Sequence, residues 1–154
     1  MVTLARWQER ELRTWLWGGA SASDHSLLST AMNDAAAEVE RSHGVAIDVV
    51  AVGDCPLDPP VHALVLAARE AMVNAATHSG ARKASVYVEV ESADVSAYVR
   101  DLGKGFDLVE VPPDRRGIAD SIEGRIERYG GTVTLVTAPG DGTEVRLRVP
   151  RGAP

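Results

Sequence analysis

This chain has almost nothing that could staple it covalently or hold it in a membrane. Its 154 residues include one cysteine, Cys55, so no disulfide can form within it. A solitary thiol fits a reducing compartment. No apolar run nears the ~20 residues that span a bilayer, and no charged-then-apolar leader opens the chain. The expectation is a cytoplasmic domain that makes no membrane contact of its own. Lysine is nearly absent, at Lys83 and Lys104 only, and 16 basic residues face 22 acidic ones for a net charge of −6. A field of that sign does not gather a phosphate backbone, which argues against a nucleic-acid partner. Aromatics number three Trp, three Tyr and one Phe, so the core has to be aliphatic. No internal repeat or low-complexity tract occurs.

What remains is an ordinary globular composition, 45% hydrophobic and 25% charged. The length suits one domain, and a chain of this size buries roughly 68–70% of its unfolded surface. The arginine bias with abundant alanine suggests a GC-rich bacterial genome.

Periodicity predicts helices over 3–17, 24–42, 59–78 and 117–129. The first carries Leu4, Trp7, Leu12, Trp15 and Leu16 at helical spacing and stops at Gly18-Gly19. Its stripe suits either packing on its own domain or a connection to an upstream module. Ser23 or Asp24 is the expected cap of the second. Pro59-Pro60 suits the start of the third. Strands are expected over 45–52, 84–91, 94–100, 132–137 and 143–149, from β-branched or alternating residues. Ser92-Ala93 and Pro139-Gly140-Asp141-Gly142 would turn two hairpins, and 101–117 reads as a loop. Hairpins exclude a doubly wound parallel sheet. The expected architecture is an α/β two-layer sandwich, with a mixed, mostly antiparallel sheet and helices on one face. Residues 1–19 are expected to be a linker helix, 20–150 the domain and 151–154 a tail.

Three features could carry chemistry. In Arg69-Glu70-Ala71-Met72-Val73-Asn74-Ala75-Ala76-Thr77-His78, residues Glu70, Asn74 and His78 recur every four positions and share one helix face. A carboxylate and an amide oxygen one turn apart are hard ligands suited to a hydrated Mg²⁺, although such a pair is also common on a plain solvated face. In Asp101-Leu102-Gly103-Lys104-Gly105-Phe106, directly after a strand, an Asp could accept from an exocyclic amine. The glycines there would let backbone approach a flat ring, although an Asp-Gly turn is the plainer reading. Neither a dinucleotide fingerprint nor a Walker loop is present. In Arg115-Arg116-Gly117-Ile118, a helix start offers free N–H groups to an anion.

In this order the three resemble the ATP-binding domain of the GHKL superfamily, the Bergerat fold, over about 45–150. Arg69–His78 is similar to the asparagine box of histidine kinases, Asp101–Gly105 to the first glycine box, and Gly117 to the start of the second. Gly140-Asp141-Gly142-Thr143-Glu144-Val145 resembles the closing strand. The short lid and Gly130-Gly131-Thr132 resemble the nitrate-sensor and lipid-sensor group. The segment around Trp7 resembles the link after the phosphoacceptor helices of actinobacterial sensors. The chain departs from the family at Asp120, where a glycine is usual, at Gly124 inside the following helix, and at Thr77, where many relatives have lysine.

The resemblance implies a catalytic domain that transfers the γ-phosphoryl group of ATP to a histidine in two-component signalling. Asp101 would take the adenine amine. Asn74 would bind Mg²⁺, and Glu70 would act as general base or hold a metal-bound water. Gly103 and Gly105 would give close backbone approach. Gly117 and Ile118 would open the phosphate-binding helix, His78 would reach phosphates or ribose, and Thr143 would support the phosphate end. None of His25, His43, His62 and His78 has the His-Asp or His-Glu setting in a helical hairpin that an acceptor needs; His25 follows Asp24 rather than preceding an acid. The acceptor is therefore expected on a phosphoacceptor domain of a membrane-anchored parent, with a response regulator downstream. The alternatives are a stand-alone GHKL serine kinase of the anti-sigma-factor type, and a non-catalytic nucleotide-binding or dimerisation module.

Overall fold

The computed structural model describes residues 27–78, 80–103 and 122–151, with the side chain of His78 also outside the description. The expected helix over 3–17 and the loop and helix start over 104–121 lie outside the described residues.

Among the described residues there are two helices and five strands. They are α1 (Leu28–His43), β1 (Ala46–Val52), α2 (Pro59–His78), β2 (Lys83–Val90), β3 (Asp94–Asp101), β4 (Thr132–Thr137) and β5 (Thr143–Pro150). A further helical turn spans 122–127. The expected α/β architecture and its strands are present, with ends within a residue or so of expectation.

One expectation fails. Helix α1 begins at Leu28, not 24, and its N-cap is Leu27, with no side-chain cap hydrogen bond there; Ser23 and Asp24 lie outside the described residues. The cap comes from a distant loop instead. The Ser29 backbone N–H donates to Asp54 Oδ1 at 3.0 Å, and the Ser29 hydroxyl bonds Asp54 Oδ2. A carboxylate at a helix start satisfies orphan N–H groups whatever part of the chain supplies it.

The sheet order is β1-β2-β3-β5-β4. β1 and β2 run parallel, and every other pair is antiparallel. A parallel pair cannot be closed by a hairpin, and α2 is the crossover between its two strands. Alternation puts Ala84, Val86 and Val88 of β2, Val95, Ala97 and Val99 of β3, and Leu147 and Val149 of β5 into the core. Both helices lie on that face. Helix α2 presents Ala63, Ala67, Ala68, Ala71 and Ala75, all buried, so it can sit close to the sheet, while Leu64 and Met72 fill the gaps. The core among the described residues holds no aromatic ring, as the composition required. The opposite sheet face carries Tyr87 against Tyr98, ring centroids 5.9 Å apart, and the ion pairs Arg146–Glu144 and Lys83–Asp48.

Candidate functional site

A polar row crosses one end of the core face. Side chains two apart in a strand share a face, so Asp101 points to the same side as Val95, Ala97 and Val99. The register sets Asp101 of β3 opposite Thr143 of β5, and Thr143 opposite Thr137 of β4. The hydroxyls of Thr137 and Thr143 are 3.0 Å apart, and Thr137 also donates to the Gly142 carbonyl at 3.0 Å.

Asp101 is only 4% exposed. Its Oδ1 accepts the Gly103 N–H at 2.9 Å. Burial pushes its carboxyl above the usual aspartate range, and the backbone N–H groups of Gly103 and Thr143 pull it partly back. No described cation pairs with it. A buried acceptor at a strand end, held by backbone donors and lacking a counter-ion, suits a neutral donor such as an exocyclic amine.

The backbone fits tightly behind it. Gly142 has φ +74°, and a Cβ there would lie 2.2 Å from the Asp101 carbonyl oxygen and 3.0 Å from Leu102 Cα. Only glycine allows β5 to begin this close to the end of β3.

The second part of the site lies on α2, which packs across β3 and β5. Glu70 and Asn74 are half-buried, beside the buried Ala67, Ala71 and Ala75 on the helix surface. Glu70 Oε1 lies 4.0 Å from Arg125 Nη2, while Glu70 Oε2 is buried with no hydrogen-bond partner. An orphaned carboxylate oxygen is costly and marks a place for a donor or a cation. Among the described residues no cluster of three or more His, Cys, Asp or Glu could hold a metal ion. One carboxylate and one amide oxygen on a helix would suit only a hard cation that keeps most of its coordination for waters and for phosphate oxygens.

The structure thus gives positions to Glu70, Asn74, Asp101, Gly103 and Thr143. His78 is the last residue of α2. Gly105, Gly117 and Ile118 lie outside the described residues. Sequence reasoning did not assign Arg125, Thr137 or Gly142 to the site. Arg125 carries no local signal. Gly142 stood in a motif, but only the strand register shows what its missing side chain makes room for.

Comparisons with known proteins place these features in a family. The profile of the histidine kinase-, DNA gyrase B- and HSP90-like ATPases matches residues 61–153. The chain is 30% identical over 82 residues to the sensor histidine kinase LiaS of Bacillus subtilis, covering 53% of this chain and 22% of that protein. It is 35% identical over 91 residues to the signal transduction histidine-protein kinase/phosphatase DegS of Bacillus subtilis, covering 57% of this chain and 23% of that protein. The chain thus spans under a quarter of the length of these curated relatives. Among solved structures, the histidine kinase domain of the Erythrobacter litoralis EL346 blue-light activated histidine kinase aligns with a TM-score of 0.64 at 20% identity, covering 96% of this chain and 74% of that one.

Proposed function

Because the chain belongs to the histidine kinase-, DNA gyrase B- and HSP90-like ATPase family and is an ATP-binding catalytic domain of the sensor-kinase kind, we propose that it delivers the γ-phosphoryl group of ATP to a histidine on a separate phosphoacceptor domain. A response regulator would be the next acceptor.

The observation that carries this reading is the pairing of a buried Asp101, without a cation partner among the described residues, with an orphaned Glu70 oxygen on the helix crossing the same strands. Asp101 accepts the adenine amine. Gly103 keeps the backbone beside it free of side chain, and Thr143 supports the phosphate end. Asn74 and Glu70 are the residues that would hold a hydrated Mg²⁺. Bound there, the ion would supply charge stabilisation to the phosphate oxygens. Glu70 then orients the attacking nucleophile or accepts its proton. Phosphoryl transfer asks mostly for such positioning. His78, Gly105, Gly117 and Ile118 complete the assignment at the ribose and phosphates. No described helix is long and apolar enough to cross a membrane; an anchored parent is part of this proposal.

Asn74→Ala tests the metal end. It is expected to weaken Mg²⁺–ATP by about tenfold or more, the worth of one charge-assisted contact, and to leave adenosine affinity nearly unchanged. Calorimetry with each ligand decides it, and equal losses for both would remove Asn74 from the metal site. Saturating ATP with Mg²⁺ should also raise the melting temperature of the native chain, since ligand at 100 times its Kd adds about 2.7 kcal/mol.

A further inference from the structure

We infer that Arg125 is a positioning residue for Glu70, an assignment that rests on the catalytic reading of Glu70 above. Arg125 lies on the helical turn 122–127, far from α2 in sequence. Ile122 and Ile126 on that turn are buried at 4% and 0% exposure, so the turn is fixed in the core and Arg125 projects from its flank. The end of the turn is fixed too. The Gly131 N–H donates to the Ile126 carbonyl at 3.1 Å, and a Cβ on Gly131 would lie 2.7 Å from Ile126 Cγ2. The guanidinium is thus delivered to Glu70 from a rigid base.

No nearer cation competes for Glu70 among the described residues. Its neighbour Arg69 is engaged with Glu38 at 2.6 Å. Arg125 approaches one oxygen only, Glu70 Oε1, at 4.0 Å. That is close enough for a charge attraction, yet too long for a hydrogen bond. An open, partly exposed pair of this kind does little for stability. Among the described residues it leaves Oε1 without a hydrogen bond from Arg125, and Oε2 is buried and orphaned. A tighter, bidentate pair would occupy both oxygens and block the carboxylate. Arg125 therefore keeps Glu70 aimed while Oε2 stays available for a metal-bound water or the nucleophile.

A double-mutant cycle with Arg125→Met and Glu70→Gln tests this. The readouts are single-turnover loss of the γ-phosphate from ATP, Mg²⁺ affinity in the presence of a non-hydrolysable ATP analogue, and adenosine affinity. Arg125→Met is expected to slow the single-turnover rate about tenfold, within the range of contact couplings, and to weaken Mg²⁺. Adenosine affinity and the melting temperature should stay near native values. In the Glu70→Gln background the same change should cost nothing further, and Arg125→Lys should recover part of the rate. Equal losses in both backgrounds would show that Arg125 acts independently of Glu70 and would overturn the inference, as would a native rate in Arg125→Met. A native rate in Glu70→Gln would instead remove the catalytic role of Glu70 itself, and the inference with it.

Discussion

Asp101→Asn is expected to cost at least about a hundredfold in ATP and adenosine affinity while making the nucleotide-free protein more stable. The affinity loss follows from geometry. Asp101 is 4% exposed and its Oδ1 already accepts the Gly103 N–H at 2.9 Å. An asparagine held by that bond keeps its oxygen on the backbone and turns its NH₂ toward the ligand. Two donors then face each other, and the adenine amine is buried without a partner. A lost charge-assisted bond plus an unsatisfied donor is worth about 3 kcal/mol or more.

The stability gain has the opposite origin. Burial holds the Asp101 carboxyl above its ordinary range, so its ionised form is penalised in the folded state. The folded protein prefers the protonated carboxyl more strongly than the unfolded chain does. The stability this contributes is fully present below the unfolded pKa and is lost as pH rises through the raised folded pKa. Asparagine is neutral throughout and escapes that loss at neutral pH. The melting temperatures of variant and native protein should therefore differ at pH 7 and converge on acidification. Nucleotide affinity of the native protein should fall over the same pH window, because a protonated Asp101 no longer presents a free acceptor. Thermal scans and calorimetry across pH report both, and undiminished affinity in Asp101→Asn at pH 7 would refute the adenine assignment.

Gly142→Ala should be the most damaging small substitution at the site. It forces a side chain into φ +74° and places Cβ 2.2 Å from the Asp101 carbonyl oxygen. The backbone term alone is about 1–2 kcal/mol. The contact adds to it, because the obstacle is backbone and β5 must separate from β3 to relieve it. A total near 3 kcal/mol or more is expected, roughly a 6–12 °C drop in Tm for a domain of this size. Gly140 supplies the control. Its φ is +84°, but nothing lies within 4 Å of a Cβ built there, so Gly140→Ala should cost only the backbone term. Urea unfolding of the two variants separates conformation from crowding. Equal costs would mean that the approach of Gly142 to Asp101 is unimportant. Gly142→Ala should also weaken adenosine binding, since Asp101 moves with its carbonyl.

Most of the architecture was legible in the sequence because it rests on local periodicity. Pro59-Pro60 and the run to His78 marked α2, and the alternation Val86, Val88, Val95, Ala97 and Val99 marked two strands and their buried face. Asp101, Gly103, Glu70 and Asn74 could be singled out as candidates because each sits in a short motif whose spacing has chemical meaning. The start of α1 was not legible, since local rules favoured Ser23 or Asp24 and the cap came from Asp54, 25 residues beyond Ser29.

By itself, then, the sequence determined the elements, the aliphatic core, the absence of disulfides and the identity of the motif residues, all properties of composition or of neighbours within a helical turn or a strand. Only the tertiary structure decided the order β1-β2-β3-β5-β4, the burial that raises the Asp101 carboxyl, the approach of Gly142 to its backbone and the meeting of Arg125 with Glu70. Each of these joins residues far apart in the chain. Desolvation, close packing and charge pairing depend on distance in space, which no local pattern encodes.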